Sequence, residues 1–308
     1  MNALTALGEV NDRVQKMSEF CLDRTVKVKR IEFPDLQNVR IEGVPYPMRS
    51  LAQKSICYRL GIPFEYLRRC PAEIQSENLN YWIRQEKNER LFFRFKDMDV
   101  RAIFTLRYRP VDNFQVMDRL ENLGYGPATK VQVNLDEEFL SLSIPNGRQT
   151  FEVNGDRIMP GISIANSEVG LSSLKISAFF LRLICTNGMV AKTEISAAYR
   201  HISLKILDEF PNVMQEVSSQ LSRQRNQFRI SMESRVDDPP ATIKNFSRQF
   251  QLGKLEEEAV DWGYGREPGH NMFSVVNAYT RAAQFPKLSA ESVYRLQAAG
   301  GQILALVK

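Results

Sequence analysis

ISIANSEVGLSSLKISAFFLRLICTNGMV, residues 162–190, decides how this chain is read. At 162–164 and again at 174–177 polar and apolar residues alternate with period two, the pattern of strands whose successive side chains point to opposite faces. Two antiparallel strands are expected. Between them Asn166, Ser167, Glu168 and Val169 lead to Gly170. Such side chains hydrogen-bond their own backbone, and glycine accepts positive φ, which is the chemistry of a loop or bulged turn. The second strand is expected to end at Asn187-Gly188, a strong short turn signal. Arg182 interrupts the apolar series AFFLRLIC, so it stands as a fixed cation on a rigid strand, facing solvent or serving a polar site. If both turns bracket the same strand, Asn166, Ser167, Gly170, Arg182, Asn187 and Gly188 converge at one end of the sheet. A strand of about fifteen residues would hold them tens of ångströms apart unless it bends.

Working outward, hydrophobic spacing and turn residues set out the remainder. A helix is expected over 11–22, then a hairpin between 26–29 and 40–41, closed by Gly43, Pro45 and Pro47. Ser50 with Gln53 reads as a capping box opening a helix that Gly61 and Pro63 end; helices over 63–70 and 72–85 follow. Strands at 91–95 and 100–108, joined by the polar turn 96–99, form a hairpin. In its second strand Arg101, Ile103, Thr105 and Arg107 share one face, with Ala102, Phe104, Leu106 and Tyr108 on the other. Asp112 and Gln115 cap the next helix, whose buried stripe is Val116, Met117, Leu120 and Leu123 and whose end is Gly124. Strands at 131–135 and 139–144 flank Asp136-Glu137-Glu138, and strands at 150–153 and 157–158 flank Asn154-Gly155. After about residue 196 the pattern turns helical, with Pro211 starting a second segment. Asp237-Asp238-Pro239-Pro240 is a strong linker signal. Beyond it come a helix carrying Glu256-Glu257-Glu258, a glycine-rich loop DWGYGREPGH, and helices over 271–285 and 289–306. The expected class is α+β: a curved, mainly antiparallel sheet packed by helices, with a helical C-terminal region. Three parts are expected: an N-terminal helix and hairpin extension (1–48), an α+β core domain (49–236), and a helical C-terminal region packed on that core (237–308).

The series NSxxG, then an arginine, then C-x-N-G resembles the phage- and plasmid-associated family catalogued as domain of unknown function 932, in which a comparable asparagine-serine loop precedes an R-x-x-C-x-N-G segment. RLGIPFEYLRR followed by NLNYW, then RAIFTLRYRPVDN, and late in the chain VVNAYTRAAQ, are similar to that family's other recurrent stretches, in the same order, over about residues 50–300. A histidine-aspartate pair is frequent after the family's asparagine-serine; here Glu168 and Val169 stand there, which weakens a catalytic or metal reading of the loop. The resemblance implies a phage, plasmid or other mobile-element setting. It implies no established activity.

With 308 residues, 43% apolar and 25% charged, the composition is that of a globular protein with one large core or two modest domains. No apolar run nears the roughly 18 residues of a membrane helix, and the first residues lack the cationic and apolar regions of a signal peptide. A cytoplasmic protein with no membrane partner is expected. Cys21, Cys57, Cys70 and Cys185 show no C-x-x-C spacing and read as inert thiols in a reducing compartment. Net charge is +5, yet thirteen Lys and Arg against seven Asp and Glu fall between Arg49 and Arg109, so the positive face lies in the first third. Interleaved with those cations are Tyr58, Tyr66, Tyr81, Trp82, Phe92, Phe93, Phe95 and Tyr108. Cations alternating with flat rings suit a protein that tracks phosphate and stacks on bases. The same composition suits aromatics that fill a core beneath a solvated surface.

Catalytic constellations are sparse. His201 and His270 lie far apart, and no H-E-x-x-H, G-x-S-x-G or Walker pattern occurs, so no catalytic residue, metal ligand or cofactor is assigned. Asp97, Asp99, Asp112 and Glu168 are carboxylates a fold can bring together, although an acidic pair in a hairpin turn is more often turn chemistry. Cys185, inside an apolar strand, reads as inert. Three function classes stand. The first is a non-catalytic nucleic-acid-binding protein, single-stranded DNA favoured, acting as an annealing or recombination accessory of a mobile element. In it Arg94, Lys96, Arg101, Arg107, Arg109, Lys175, Arg182, Arg225 and Arg229 contact nucleic acid beside a polar loop of Asn166, Ser167, Glu168 and Asn187. The second is a protein-binding factor that modulates host defence or assembles as a homo-oligomer. The third is a metal-dependent hydrolase or nuclease centred on residues 166–168.

Overall fold

The computed structural model describes residues 4–153, 155–182, 187–191, 197–199, 212 and 221–307. Cys185, His201 and, apart from Asn212, the expected helical segments between 202 and 220 lie outside the described residues. The first elements are β1 (Thr5–Ala6), α1 (Leu7–Ser18), β2 (Cys21–Lys27), β3 (Ile31–Glu32), β4 (Asn38–Ile41), β5 (Val44–Pro47), α2 (Ser50–Leu60), α3 (Phe64–Leu67), α4 (Ala72–Ile83), β6 (Arg90–Lys96) and β7 (Asp99–Thr105). Then come α5 (Asn113–Asn122), β8 (Lys130–Leu135), β9 (Leu140–Pro145), β10 (Phe151–Val153), β11 (Asp156–Asn166), β12 (Leu174–Arg182), β13 (Asn187–Ala191) and β14 (Ala197–Tyr199). The chain closes with α6 (Leu221–Glu233), α7 (Pro239–Gln249), α8 (Lys254–Arg266), α9 (Met272–Ala282) and α10 (Ala290–Leu306). The class is α+β with antiparallel sheets, as expected.

Two compact units emerge, Gln15–Pro110 and Met1–Val14 together with Val111–Lys308. These limits differ from the sequence boundaries at 48/49 and 236/237 for two reasons. β2 pairs with β6 along its whole length, Cys21↔Lys96 to Lys27↔Arg90, instead of forming a hairpin with 40–41. The C-terminal helices share one apolar cluster with the large sheet, in which Val275, Tyr279, Leu296 and Ile303 join Leu142 and Ile164.

In the unit Gln15–Pro110, the order β2-β6-β7 makes a three-stranded sheet and β3-β4-β5 a second small one. The β6–β7 hairpin turns at Asp97, whose φ of 53° lies in the left-handed region that aspartate tolerates. Its alternate residues Leu91, Phe93 and Phe95 share a core with Ala52 and Ile56 of α2, Leu67 of α3, and Leu79 and Ile83 of α4. Ser50 begins α2, but Arg49 is the N-cap, and Gln53 Nε2 donates to Met48 O at 2.7 Å instead of closing a capping box. Gly61, at φ 69°, ends that helix as expected.

In the other unit the described strands form an eight-stranded sheet, β1-β8-β9-β11-β12-β13, with β10 on β11 and β14 on β12. The opening stretch folds as the period-two pattern requires: β11 and β12 pair antiparallel from Ile158↔Arg182 to Ala165↔Lys175. Alternation gives the sheet two unlike faces. Leu142, Ile162, Ile164, Ile176 and Phe180 enter the large apolar cluster. On the opposite face Gln132, Ser143, Ser163 and Ser177 stand in direct cross-strand register, all buried. Ser143 Oγ donates to Ser163 Oγ at 3.1 Å. The alternating serines thus face protein, with Phe139, Ala165, Phe179 and Leu181 packing on Tyr294 of α10. Asn187-Gly188 opens β13 opposite Arg182 and Leu181 instead of forming the turn itself. Asp261 to Arg266, expected in a loop, belong to α8 because Gly263 lets the helix backbone approach Ala278 O of α9, where a Cβ would collide.

Candidate nucleic-acid interface

The loop after β11 and the start of α5 build one polar joint. Asn166 Nδ2 donates to Val111 O and to Asn113 Oδ1, each at 2.9 Å. Asn113 N–H, the first of the helix, donates to Glu168 Oε1 at 2.8 Å, so a carboxylate sits where the helix dipole is positive. Gln115 reaches back to accept from Asp112 N–H at 2.9 Å, as the cap motif requires. Ser167 Oγ donates to Glu138 O at 2.7 Å and accepts from Leu171 N–H at 3.1 Å. Asn166, Ser167 and Glu168 are all buried. Their hydrogen bonds hold β11 to α5 and to the β8–β9 turn.

Arg182 stands at the other end. The register puts it opposite Ile158, eight positions along β11 from Asn166, about 26 Å away at strand rise. The expected convergence is therefore corrected for Asn166: β11 and β12 pair in unbroken register from Ile158↔Arg182 to Ala165↔Lys175, which keeps Asn166 at the far end, while Asn187 pairs with Arg182. Nor does Arg182 face solvent. Its Nε donates to Asp156 Oδ1 at 2.9 Å, its Nη1 pairs closely with Glu267, and its guanidinium lies over the Phe273 ring at 5.1 Å. Glu267 also meets Arg281 at 3.6 Å. Burial alone would lower the pKa of Arg182, but the hydrogen bonds and charges of Asp156 and Glu267 outweigh it and raise it further. Sequence reasoning missed these partners because they lie 26 and 85 positions away, with no local signal.

The expected phosphate contacts divide by exposure. Arg94 and Arg101 are only 3% and 5% exposed. Arg94 pairs with Asp23 at 3.0 Å, and Arg101 donates to Cys21 Sγ at 3.3 Å. Both are interior cations in this conformation, which corrects their expected place on an open face. β7 ends at Thr105, so Arg107 and Arg109 lie beyond the strand, both exposed, and Arg109 bonds Leu106 O at 3.1 Å. Lys96 is half-buried opposite Asp99. Lys175 lies over the Tyr294 ring at 5.9 Å. On α6, Arg225 and Arg229 are exposed, and Arg229 pairs with Glu233 at 3.3 Å. The carboxylates expected as a group have separate duties: Asp97 turns the hairpin, Asp99 meets Arg49 at 3.2 Å, Asp112 caps α5, and Glu168 holds its first N–H.

The aromatics divide likewise. Phe93 and Phe95 are core. Phe92, Phe104 and Tyr108 are half-buried, the last two stacked at 3.8 Å between centroids. Tyr58, Tyr66, Tyr81 and Trp82 are exposed on α2, α3 and α4.

Residues 102–248 match the family model described as Domain of unknown function (DUF932). The match covers 147 of the 308 residues, just under half of the chain. The match is narrower than the 50–300 resemblance: it runs from within β7 to within α7, includes Asn113, Asn166 and Arg182, and leaves α2–α4 ahead of it. No curated protein and no solved structure matches the chain. Among the described residues no helix is long and apolar enough to cross a membrane.

Proposed function

We propose that this protein binds nucleic acid without catalysis, with single-stranded DNA as the favoured ligand, in annealing or recombination on a phage, plasmid or other mobile element. The observation that carries the reading is where the charge sits. Within Gln15–Pro110, nineteen Lys and Arg stand against twelve Asp and Glu, a surplus of seven; the remaining residues have twenty-two against twenty-four, a deficit of two. A polyanion gains affinity from a concentrated cationic surface, because each neutralised phosphate releases condensed counterions. Exposed Arg107 and Arg109 fit that role better than the interior Arg94 and Arg101. The mobile-element setting rests on the family resemblance alone.

Anisotropy of a labelled oligonucleotide titrated with the whole chain tests the reading. Affinity should fall log-linearly between about 50 and 200 mM salt, with a slope near −0.7 per phosphate contacted for a single strand. Absence of binding at the low end of that range refutes it.

A further inference from the structure

Rings as large as tyrosine and tryptophan are ordinarily withdrawn from water at least in part, and a cluster of open ones marks a surface that meets something. On the helical layer of the basic unit, Tyr58 is 90% exposed, Tyr66 51%, Tyr81 59% and Trp82 45%. α4 buries Gln75, Leu79 and Ile83 at a spacing of four, which turns Ile74 and Tyr81 to its outer side and leaves Trp82 on the flank beside the buried stripe, 45% exposed. Tyr81 and Trp82 meet edge to face, centroids 5.1 Å apart at 88°, an arrangement that cannot cover both faces of either ring. The Arg59–Glu86 ion pair, 3.3 Å, ties the end of α2, where Tyr58 stands, to the chain just past Tyr81 and Trp82. Burial pushes the Glu86 pKa up, but hydrogen bonds from Asn88 and the Arg59 charge outweigh it and hold the group below its ordinary value.

Cations accompany the rings. Lys54 lies one helical turn before Tyr58, and exposed Arg84 and Lys87 follow Trp82. The acids nearby are Glu73 and Glu77, both exposed on α4, and Glu86, the last already paired with Arg59. The core of a protein-binding surface is depleted in charge, whereas a single-strand track interleaves cations with rings. In a duplex the base faces are stacked inside and only groove edges are open, so exposed flat rings can engage unpaired bases alone.

We infer that the outer side of α2 and α4 is a stacking platform for unpaired bases, with Tyr58, Tyr81 and Trp82 as its rings and Lys54 and Arg84 beside them for phosphate. The inference rests on the nucleic-acid reading above and adds to it the surface used and the preference for single strands.

The test uses the whole chain, a labelled thirty-nucleotide oligo-dT and a labelled duplex of equal length. Trp82→Ala and Tyr81→Ala should each weaken oligo-dT binding by about tenfold, the scale of one base–ring stack, and change duplex binding less than about twofold. Trp82→Phe should restore most of the loss. In a Trp262→Phe background Trp82 is the one tryptophan of the two in the chain, and its emission should be quenched by oligo-dT. If oligo-dT binds with full salt dependence and the ring variants leave it unchanged, or weaken duplex equally, the platform is refuted while the basic unit keeps its role. If the variants alter self-association and not affinity, the rings are a protein contact and the platform is again refuted. If neither probe binds at low salt, both readings fall together.

Discussion

Replacing Arg182 by alanine asks whether a cation on the central strand serves a ligand or the fold. The guanidinium is 14% exposed, and Asp156, the more buried of its two carboxylate partners, 11%. Both Nε and Nη2 approach Asp156 Oδ1 at 2.9 Å. Alanine would strand that carboxylate, which has little water to turn to, and would remove the cation from the Phe273 ring. Glu267 loses less, since it is 30% exposed and keeps Arg281 at 3.6 Å. Breaking one side of a buried pair destabilises by roughly 3–5 kcal/mol, most of it the desolvation of the charge left behind. At about 2–4 °C per kcal/mol for a unit of this size, the melting temperature should fall by about 6–20 °C. Oligonucleotide affinity, measured well below the new melting point, should stay within about twofold. Adding Asp156→Asn removes the stranded charge, so the double variant should recover at least about 1 kcal/mol relative to additivity. Calorimetry on the four proteins of the cycle decides it: a fall under about 2 °C for Arg182→Ala, or strict additivity, would refute the clasp.

Arg107→Ala should leave stability within about 0.5 kcal/mol, because the side chain is exposed, and should flatten the salt slope of oligonucleotide binding by about one; a large melting shift with an unchanged slope would make Arg107 a structural residue instead. Glu168→Ala should destabilise by about 1–2 kcal/mol through loss of the charged acceptor at the start of α5, and Glu168→Gln by less, with oligonucleotide affinity unchanged; thermal melting of the two variants checks the order. Burial raises the Cys57 thiol to about 11, so at pH 8 about one part in a thousand is thiolate and a disulfide reagent should modify Cys70 and Cys21 long before Cys57. The same shift favours the neutral thiol in the folded chain, so its contribution to stability is complete below the unfolded pKa and is lost as pH rises through about 11. Peptide mapping after timed labelling would expose an early Cys57.

The sequence makes legible whatever is local. The β11–β12 pair, the Asp112–Gln115 cap, the Gly61 end of α2 and the buried stripe Val116, Met117 and Leu120 all follow from period and turn chemistry within a few residues. Pairing at a distance was not legible: β2 finds β6 across about seventy residues, and nothing in Val26-Lys27-Val28-Lys29 says which strand completes it. Buried charge was equally hidden. Arg94 and Arg101 sit in alternating segments that read as half-solvated, and only the location of Asp23 and Cys21 discloses that both are interior. The serines of β9, β11 and β12 show the same blindness from the other side, since a period-two polar residue carries no mark of whether water or a helix covers it.

Two of the stretches that carry the family resemblance form one joint. Val111 and Asn113, from RAIFTLRYRPVDN, receive the amide of Asn166, from NSEVG, and Asn113 N–H binds Glu168 of the same loop. Residues some fifty-five positions apart are thus tied by hydrogen bonds that neither partner can make alone, with Asn166 wholly buried. A buried amide left without its partner costs about 1–3 kcal/mol, so either half of the joint constrains the other whatever the protein binds. Arg182, held by Asp156 and Glu267, obeys the same logic. These residues of the resemblance hold the α+β framework together. Function is then to be sought among side chains that the framework leaves open to solvent, and in the basic unit the rings Tyr58, Tyr81 and Trp82 and the cation Arg84 are the exposed ones to change one at a time.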